Sequence, residues 1–366
     1  MNKIDKLKQE AISLLKELIA IPSFSGKEHK AADKVNTFLQ NAGIKTKRKM
    51  HNIWAENKNF QAGRPVLLLN SHLDTVRPND SWQSDPFKPQ IKDGKLFGLG
   101  SNDAGGSLVS LMAIFRYFYQ RKDLHYNLIF AATAEEENSG LHGIESILPE
   151  LKNIDFTVVG EPTGMKMAIA EKGLIVLDCT APGKAGHAAR NEGENAIINA
   201  MKDIEWFHSY QFPRESKLLG PIRMTVTAIQ AGRQHNIIPD TCKFTVDIRT
   251  TDSYTHEEIL EIIQRQVISK VEPRSTRLRP SKIELNHPIV QAAQELQIPL
   301  FGSPTTSDQA VIPFPSVKMG PGESERSHTA DEFIYLTEIE EGIEGYINLF
   351  EKLNKILENQ KILNHE

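Results

Sequence analysis

The residue types able to do chemistry gather in a few short polar stretches: Ser71-His72-Leu73-Asp74, Gly100-Ser101-Asn102-Asp103, Thr133-Ala134-Glu135-Glu136-Glu137, Gly160-Glu161-Pro162, and the run from Gly320 to His328. Each alone reads as an ordinary turn or cap. A His two residues before an Asp is also a metal arrangement, in which the carboxylate fixes the imidazole tautomer and raises its basicity. Asp103, on a Gly-rich turn, is either a helix N-cap or a metal carboxylate that the glycines let approach closely. The glycine spacing does not match a phosphate loop, and an Asp there would repel phosphate. The adjacent acids Glu135, Glu136 and Glu137 repel one another unless a cation neutralises them. One acid on a metal and its neighbour free as a proton shuttle would resolve that repulsion. Beyond Asp74, a set of two His and three carboxylates can be drawn from these stretches, a donor set suited to Zn, Mn or Co. Two metals sharing one carboxylate would polarise a carbonyl and generate hydroxide near neutral pH.

These stretches follow apolar runs. Residues 66–70 (VLLLN), 127–132 and 156–159 are short and continuously apolar, as expected of buried parallel strands. Ligands in open α/β sheets bind outside the strand carboxyl ends. Helical spacing predicts an N-terminal helix ending before Pro22, helices over 28–40 and 105–119, and weaker strands over 44–48 and 53–57. The middle changes character: strand 174–180, helix 195–208, strands 223–230 and 243–249, helix 256–267 and a last strand at 279–285. That βαββαβ order is the order of a ferredoxin-like unit. The α/β pattern then resumes with helix 289–296, strand 316–319 and a long helix from about residue 338. The expected fold is α/β: a mostly parallel sheet with helices on both faces, interrupted by an inserted ferredoxin-like α+β domain. The expected boundaries are 1–172, 173–286 and 287–366.

Composition excludes several classes. Lys+Arg 43 against Asp+Glu 47 gives a net charge of −4, without the basic excess of a nucleic-acid footprint. Two cysteines, Cys179 and Cys242, allow neither a disulfide scaffold nor a Cys-based zinc knuckle. No apolar run approaches the ~18 residues of a membrane span, and charges interrupt the N-terminal helix. The expectation is a cytoplasmic protein with neither a nucleic-acid nor a membrane partner.

The ordered set His72-x-Asp74, Asp103, the Glu135–Glu137 run, Gly160-Glu161-Pro162 and His328 resembles the co-catalytic dizinc amidohydrolase and peptidase family. That family includes acetylornithine deacetylase, succinyl-diaminopimelate desuccinylase, aminoacylase and carboxypeptidase G. The resemblance covers almost the whole chain. It implies a zinc-peptidase-like catalytic domain, an inserted lid and dimerisation domain, and two Zn2+ per subunit, with Co2+ or Mn2+ as alternatives. It further implies that His72 and Glu161 bind one metal, Glu137 and His328 the other, and that Asp103 bridges them. Asp74 would orient His72, and Glu136 would be the general base and acid. The register is open: matching Thr133-Ala134 to the family's Thr-Ala-Asp-Glu-Glu gives Glu136 and Glu137 these roles, while a one-residue slip gives them to Glu135 and Glu136. Many members read Asp-Met-Lys-Gly where this chain has Asp103-Ala104-Gly105-Gly106, so any role of that Lys is lost here.

Gly183-Lys184-Ala185-Gly186-His187 resembles the family's Gly-x-x-Gly-His, whose His stabilises the oxyanion in the partner subunit of a homodimer. Asn236 and Arg249 match lid residues that bind substrate; an Arg fork suits a carboxylate. The implied reaction is hydrolysis of the amide of a small-molecule N-acyl amino acid. N-acetylornithine, in arginine biosynthesis, is expected first, with N-succinylornithine and N-acetylcitrulline beside it. Succinyl-diaminopimelate desuccinylation is the main alternative, followed by dipeptidase or aminoacylase activity. The rival of another class is a binding protein with a vestigial site. Decay of that kind should delete ligands or the base, and none is missing.

Overall fold

Strand Val66–His72 is buried at every residue, which its uninterrupted apolar run requires. It lies between Asn127–Thr133 and Phe156–Gly160, parallel to both. Ser316–Met319 adds a further parallel strand beside Phe156–Gly160. Alternate residues of these strands enter different cores. Leu67, Leu69, Leu128, Phe130 and Val158 face one cluster; Val66, Leu68, Ile129, Ala131 and Val159 face another. A one-residue slip would exchange the two sets, so both faces specify the register. In this computed structural model residues 2–190 and 192–363 are described.

Outside those four central strands antiparallel pairing dominates. Asn52–Glu56 runs antiparallel to Asn127–Thr133, and Lys47–Lys49 antiparallel to Asn52–Glu56. On the other side Met167–Glu171 meets Ser316–Met319 antiparallel through Ala168. The expected mostly parallel sheet is therefore mixed. The short, partly charged outer runs alternate or break, and antiparallel edges tolerate that.

The helices Lys3–Ile19, His29–Asn41, Gly106–Phe118, Pro288–Glu295 and Leu336–Leu363 share the first core, which buries Leu14, Leu15, Phe115, Phe118 and Phe350 almost completely. Burial of each such side chain is worth roughly 1.5–3 kcal/mol. The second face carries the short helix Ile144–Ile147 and Trp54. A small antiparallel sheet, absent from the sequence expectation, joins Gln90–Lys92, Lys95–Phe97 and Phe333–Tyr335. Among the described residues no helix is long and apolar enough to cross a membrane.

The chain forms two compact units. The first comprises Met1–Ile169, Ile283–Phe301 and Ser307–Glu366; the second comprises Ala170–Lys282 and Gly302–Thr306. The expected boundary at 172/173 lies within three residues of the observed 169/170, and that at 286/287 within four of 282/283. The sequence held no sign that Gly302–Thr306 rejoins the second unit.

In the second unit the sheet order is Arg223–Ala231, Thr241–Thr250, Gly173–Pro182, Lys270–Pro273, antiparallel throughout. Helices Ala196–Ser209 and His256–Gln266 pack on one face, around Ile175, Leu177, Phe207, Phe244, Val246 and Ile259. The fourth strand corrects the sequence reading: it is Lys270–Pro273, not 279–285. The sequence KVEP carries two charges and a Pro, which an edge strand accepts and a central strand does not. Within 279–285 only Ser281–Lys282 is extended in a ladder, against Ala170 and Glu171.

Candidate active site

The parallel strands end on the same side, and each end delivers a polar group. His72 is the last residue of its strand. Glu136 and Glu137 follow the end of Asn127–Thr133, and Glu161 follows Phe156–Gly160. Asp103 sits in the turn before helix Gly106–Phe118, and His328 in the loop after Ser316–Met319. Gly100 makes that turn close: its φ is +74°, and a Cβ there would lie 2.6 Å from the Thr75 methyl.

The two oxygens of Asp103 face two imidazoles. Oδ1 lies 3.3 Å from His72 Nε2, and Oδ2 lies 3.5 Å from His328 Nε2. Around His72 Nε2 stand Glu161 Oε1 at 3.7 Å and Glu136 Oε2 at 3.9 Å. His328 Nε2 lies 2.9 Å from Glu137 Oε2. Ligand atoms of His72, Asp103 and Glu137, and those of His72, Glu136 and Glu161, all fall within 4.8 Å of one another. Glu135 is not part of this cluster. Its backbone takes a left-handed φ of 57°, and its carboxylate accepts from the His142 N–H at 3.1 Å.

Asp74 works differently from the sequence expectation. The His72 Nδ1–H donates to the Asp74 main-chain carbonyl at 2.9 Å, while the nearer carboxylate oxygen is 3.6 Å away, beyond hydrogen-bond length. The Asp74 carboxylate instead accepts the N–H of Glu136 and of Glu137, each at 3.1 Å, and the Ser25 hydroxyl at 2.7 Å. One buried side chain thus clamps the acidic run, and its carbonyl aims the imidazole. With Nδ1 donating, His72 Nε2 faces the cluster.

The electrostatics call for a cation. Burial pushes Glu161 up to about 8, helped by Asp103. Burial likewise raises Glu136 well above the ordinary carboxylate range and Glu137 above it. Burial would lower His72, but Asp103, Asp74, Glu136 and Glu161 offset this and hold it well above its ordinary value. The hydrogen bond to Glu137 pushes His328 up to about 9. Retained protons limit the negative charge of the cluster, and divalent ions would do so with better geometry. The converging donors are carboxylate oxygens and imidazole nitrogens only, which fits Zn, Mn or Co.

Further residues build this site without having been singled out in the sequence. Buried Asp308 accepts from Asn70 Nδ2 at 2.7 Å and from the Thr133 hydroxyl at 3.1 Å, tying two strand ends together. Burial raises Asp308 to about 6. Asn70, a polar residue closing an apolar run, was the available signal. Glu332 accepts the main-chain N–H groups of Gly100, Asn102 and Asp103; nothing in its local sequence marks it.

The second unit holds the other expected residues. His187 and Asn236 are exposed and adjacent: Gly186–His187 pairs with Ile237–Ile238, and the Ala188 N–H donates to the Asn236 carbonyl at 3.0 Å. His187 Nδ1 accepts from the Ala189 N–H at 3.1 Å, which leaves Nε2 as the donor nitrogen. Arg249 is already engaged. Its Nε and Nη2 donate to both oxygens of Asp247 at 2.8 and 3.0 Å, and Nη1 donates to the Thr306 hydroxyl at 3.2 Å.

Comparison with known proteins gives a consistent picture. Residues 68–352 match the model of peptidase family M20/M25/M40. Curated relatives include several succinyl-diaminopimelate desuccinylases. That of Orientia tsutsugamushi (strain Ikeda) is 29% identical over 281 residues, 71% of this chain and 72% of the relative. A [LysW]-lysine/[LysW]-ornithine hydrolase of Sulfurisphaera tokodaii is 27% identical over 350 residues, 93% of this chain and 94% of the relative. Among solved structures, the Bacillus subtilis YXEP protein, a dinuclear metal binding peptidase, superposes with a TM-score of 0.73 at 16% identity, covering 96% of this chain and 99% of that one.

Proposed function

The chain belongs to peptidase family M20/M25/M40 and is a metal-dependent amidohydrolase, and we propose that it cleaves the amide bond of an N-acylated diamino acid. The observation that carries this reading is the Asp103 carboxylate, with one oxygen toward His72 and the other toward His328. In the proposed roles His72 and Glu161 would hold one ion, Glu137 and His328 the other, and Asp103 would serve both. Zn2+ is the first choice, with Co2+ or Mn2+ as alternatives. Two such ions polarise a bound carbonyl and lower the pKa of water toward neutrality.

The chain supplies the remainder. Glu136, raised by burial, accepts the proton of the attacking water at its carboxylate and delivers it to the departing amine nitrogen. His187 presents Nε2–H to the developing oxyanion. Asn236 holds the substrate beside it. With two of its nitrogens on Asp247 and Nη1 on Thr306, Arg249 reaches substrate through the remaining N–H of Nη1 rather than as a free carboxylate fork.

The sequence reading placed N-acetylornithine first. The relatives' names support N-succinyl-diaminopimelate ahead of it, with N-succinylornithine, N-acetylornithine and N-acetylcitrulline following. All are amides of amino acids carrying a second amine or its derivative. A panel of these four with dipeptides beside them, scored by amine release with added Zn2+ or Co2+, tests the reading. We expect the succinyl substrates to be cleaved fastest. Release from dipeptides alone would overturn it in favour of a peptidase. The two buried free cysteines suit a reducing compartment, and we assign the reaction to the cytoplasm.

Metal uptake should depend on pH in a definite direction. His328, held near 9 by Glu137, must lose its proton to take an ion. Affinity of the metal-free protein therefore rises with pH below 9. Competition with a chromophoric chelator at pH 6.5 and 8.5 should show at least about a tenfold gain. Equal affinities would contradict the role given to His328.

A further inference from the structure

Glu332 is almost completely buried, and its carboxylate is taken up by main-chain donors. Oε2 accepts the Gly100 N–H at 2.9 Å; Oε1 accepts the Asn102 N–H at 2.7 Å and the Asp103 N–H at 2.9 Å. The placement follows from the small sheet. Phe333 pairs with Phe97, and the Glu332 carbonyl continues that ladder by accepting the Gly98 N–H at 3.0 Å. The side chain then reaches over the turn that follows. A second tie lies nearby: Asn102 accepts the Glu323 N–H at 3.1 Å and donates to the Glu323 carbonyl at 3.0 Å. The segment from Glu323 to Glu332 also carries His328. One loop thus supplies an imidazole to the cluster and, four residues later, the carboxylate that holds the turn of Asp103.

We propose that Glu332 is a positioning residue that fixes Asp103 between His72 and His328, so that uptake of both metal ions depends on a carboxylate touching neither. The inference rests on the two-ion reading above. A carboxylate is the group that suits this place. Its two oxygens accept from both sides, and the three donors offset part of the cost of burying it. Gln has the same size but one acceptor oxygen, and its NH2 would face a main-chain N–H. Asp keeps the charge but is one methylene short of spanning from Gly100 to Asp103. Burial alone would make Glu332 a structural residue; its three bonds to the Asp103 turn tie it to metal affinity in particular.

The test uses metal-free full-length protein titrated with Co2+ alone, followed by absorption and chelator competition, with thermal melting of the metal-free forms measured separately. Glu332→Gln should weaken Co2+ uptake by about 10–100-fold, the range typical of groups that orient metal ligands, and Glu332→Asp should fall between it and the wild type. A Glu332→Gln protein that melts lower but binds two Co2+ with unchanged affinity overturns the inference and leaves a structural role. If Glu332→Gln does not fold, Glu332→Asp decides: wild-type affinity overturns the inference, and weaker Co2+ uptake supports it. A wild-type protein that takes up fewer than two Co2+ overturns the two-ion reading itself, and the positioning role with it.

Discussion

Glu136→Gln should retain two metal ions and lose about 10²–10⁴-fold in turnover, the range a general acid–base contributes. The amide keeps the size of the carboxylate but cannot accept the proton of the attacking water. The Glu136 side chain stands 3.9 Å from His72 Nε2, farther than Asp103 at 3.3 Å and Glu161 at 3.7 Å, while its main chain is held by Asp74. It is therefore near the metal positions without being the best placed ligand. Glu137 differs: its Oε2 lies 2.9 Å from His328 Nε2. Glu137→Ala should weaken the ion shared with His328 and lower activity through metal loss that added Co2+ partly restores. Metal analysis beside kcat separates the two variants. If Glu136→Gln loses metal and Glu137→Ala keeps it, the base and ligand assignments must be exchanged.

The register of those two glutamates shows what the sequence could and could not carry. Matching Thr133-Ala134 is an argument about order along the chain. The left-handed backbone at Glu135 and the clamp of Asp74 on both following N–H groups are arguments about direction, and a one-dimensional pattern holds no such information. The buried strands were legible because continuous apolar runs of four to six residues have one economical use, the centre of a two-faced sheet. Lys270–Pro273 was illegible for the opposite reason: edge strands are marked by charge and proline, as loops are. Glu332 was illegible, and Asp308 was marked only indirectly by Asn70, because their partners are distant in sequence, 229 residues from Glu332 to Asp103 and 238 from Asp308 to Asn70. A buried acid bound to main-chain or amide donors leaves no local spacing to read.

His187→Ala should lower turnover by about 10²–10³-fold, the cost of one oxyanion donor, while sparing metal content. In the homodimer that the family resemblance implies, this His would serve the partner's site. The second unit supplies a physical basis for pairing. Arg223–Ala231 is the outer strand of its sheet, with Ile229 57% exposed, and helix Ala196–Ser209 exposes Ile198 and Met201. An exposed edge strand beside apolar side chains invites a second copy of the chain, and a twofold dimer uses the same patch twice. The tautomer set by the Ala189 N–H leaves His187 Nε2–H free to donate. If it donates across the interface, His187→Ala and Glu136→Gln subunits, each inactive alone, should regain activity when mixed, because one of the two sites in a hybrid holds both residues intact. Subunit exchange is checked first with differently tagged chains. Exchanged hybrids that remain inactive would place His187 in service of its own chain or of no site, and a wild-type protein that sediments as a monomer would remove the interface altogether.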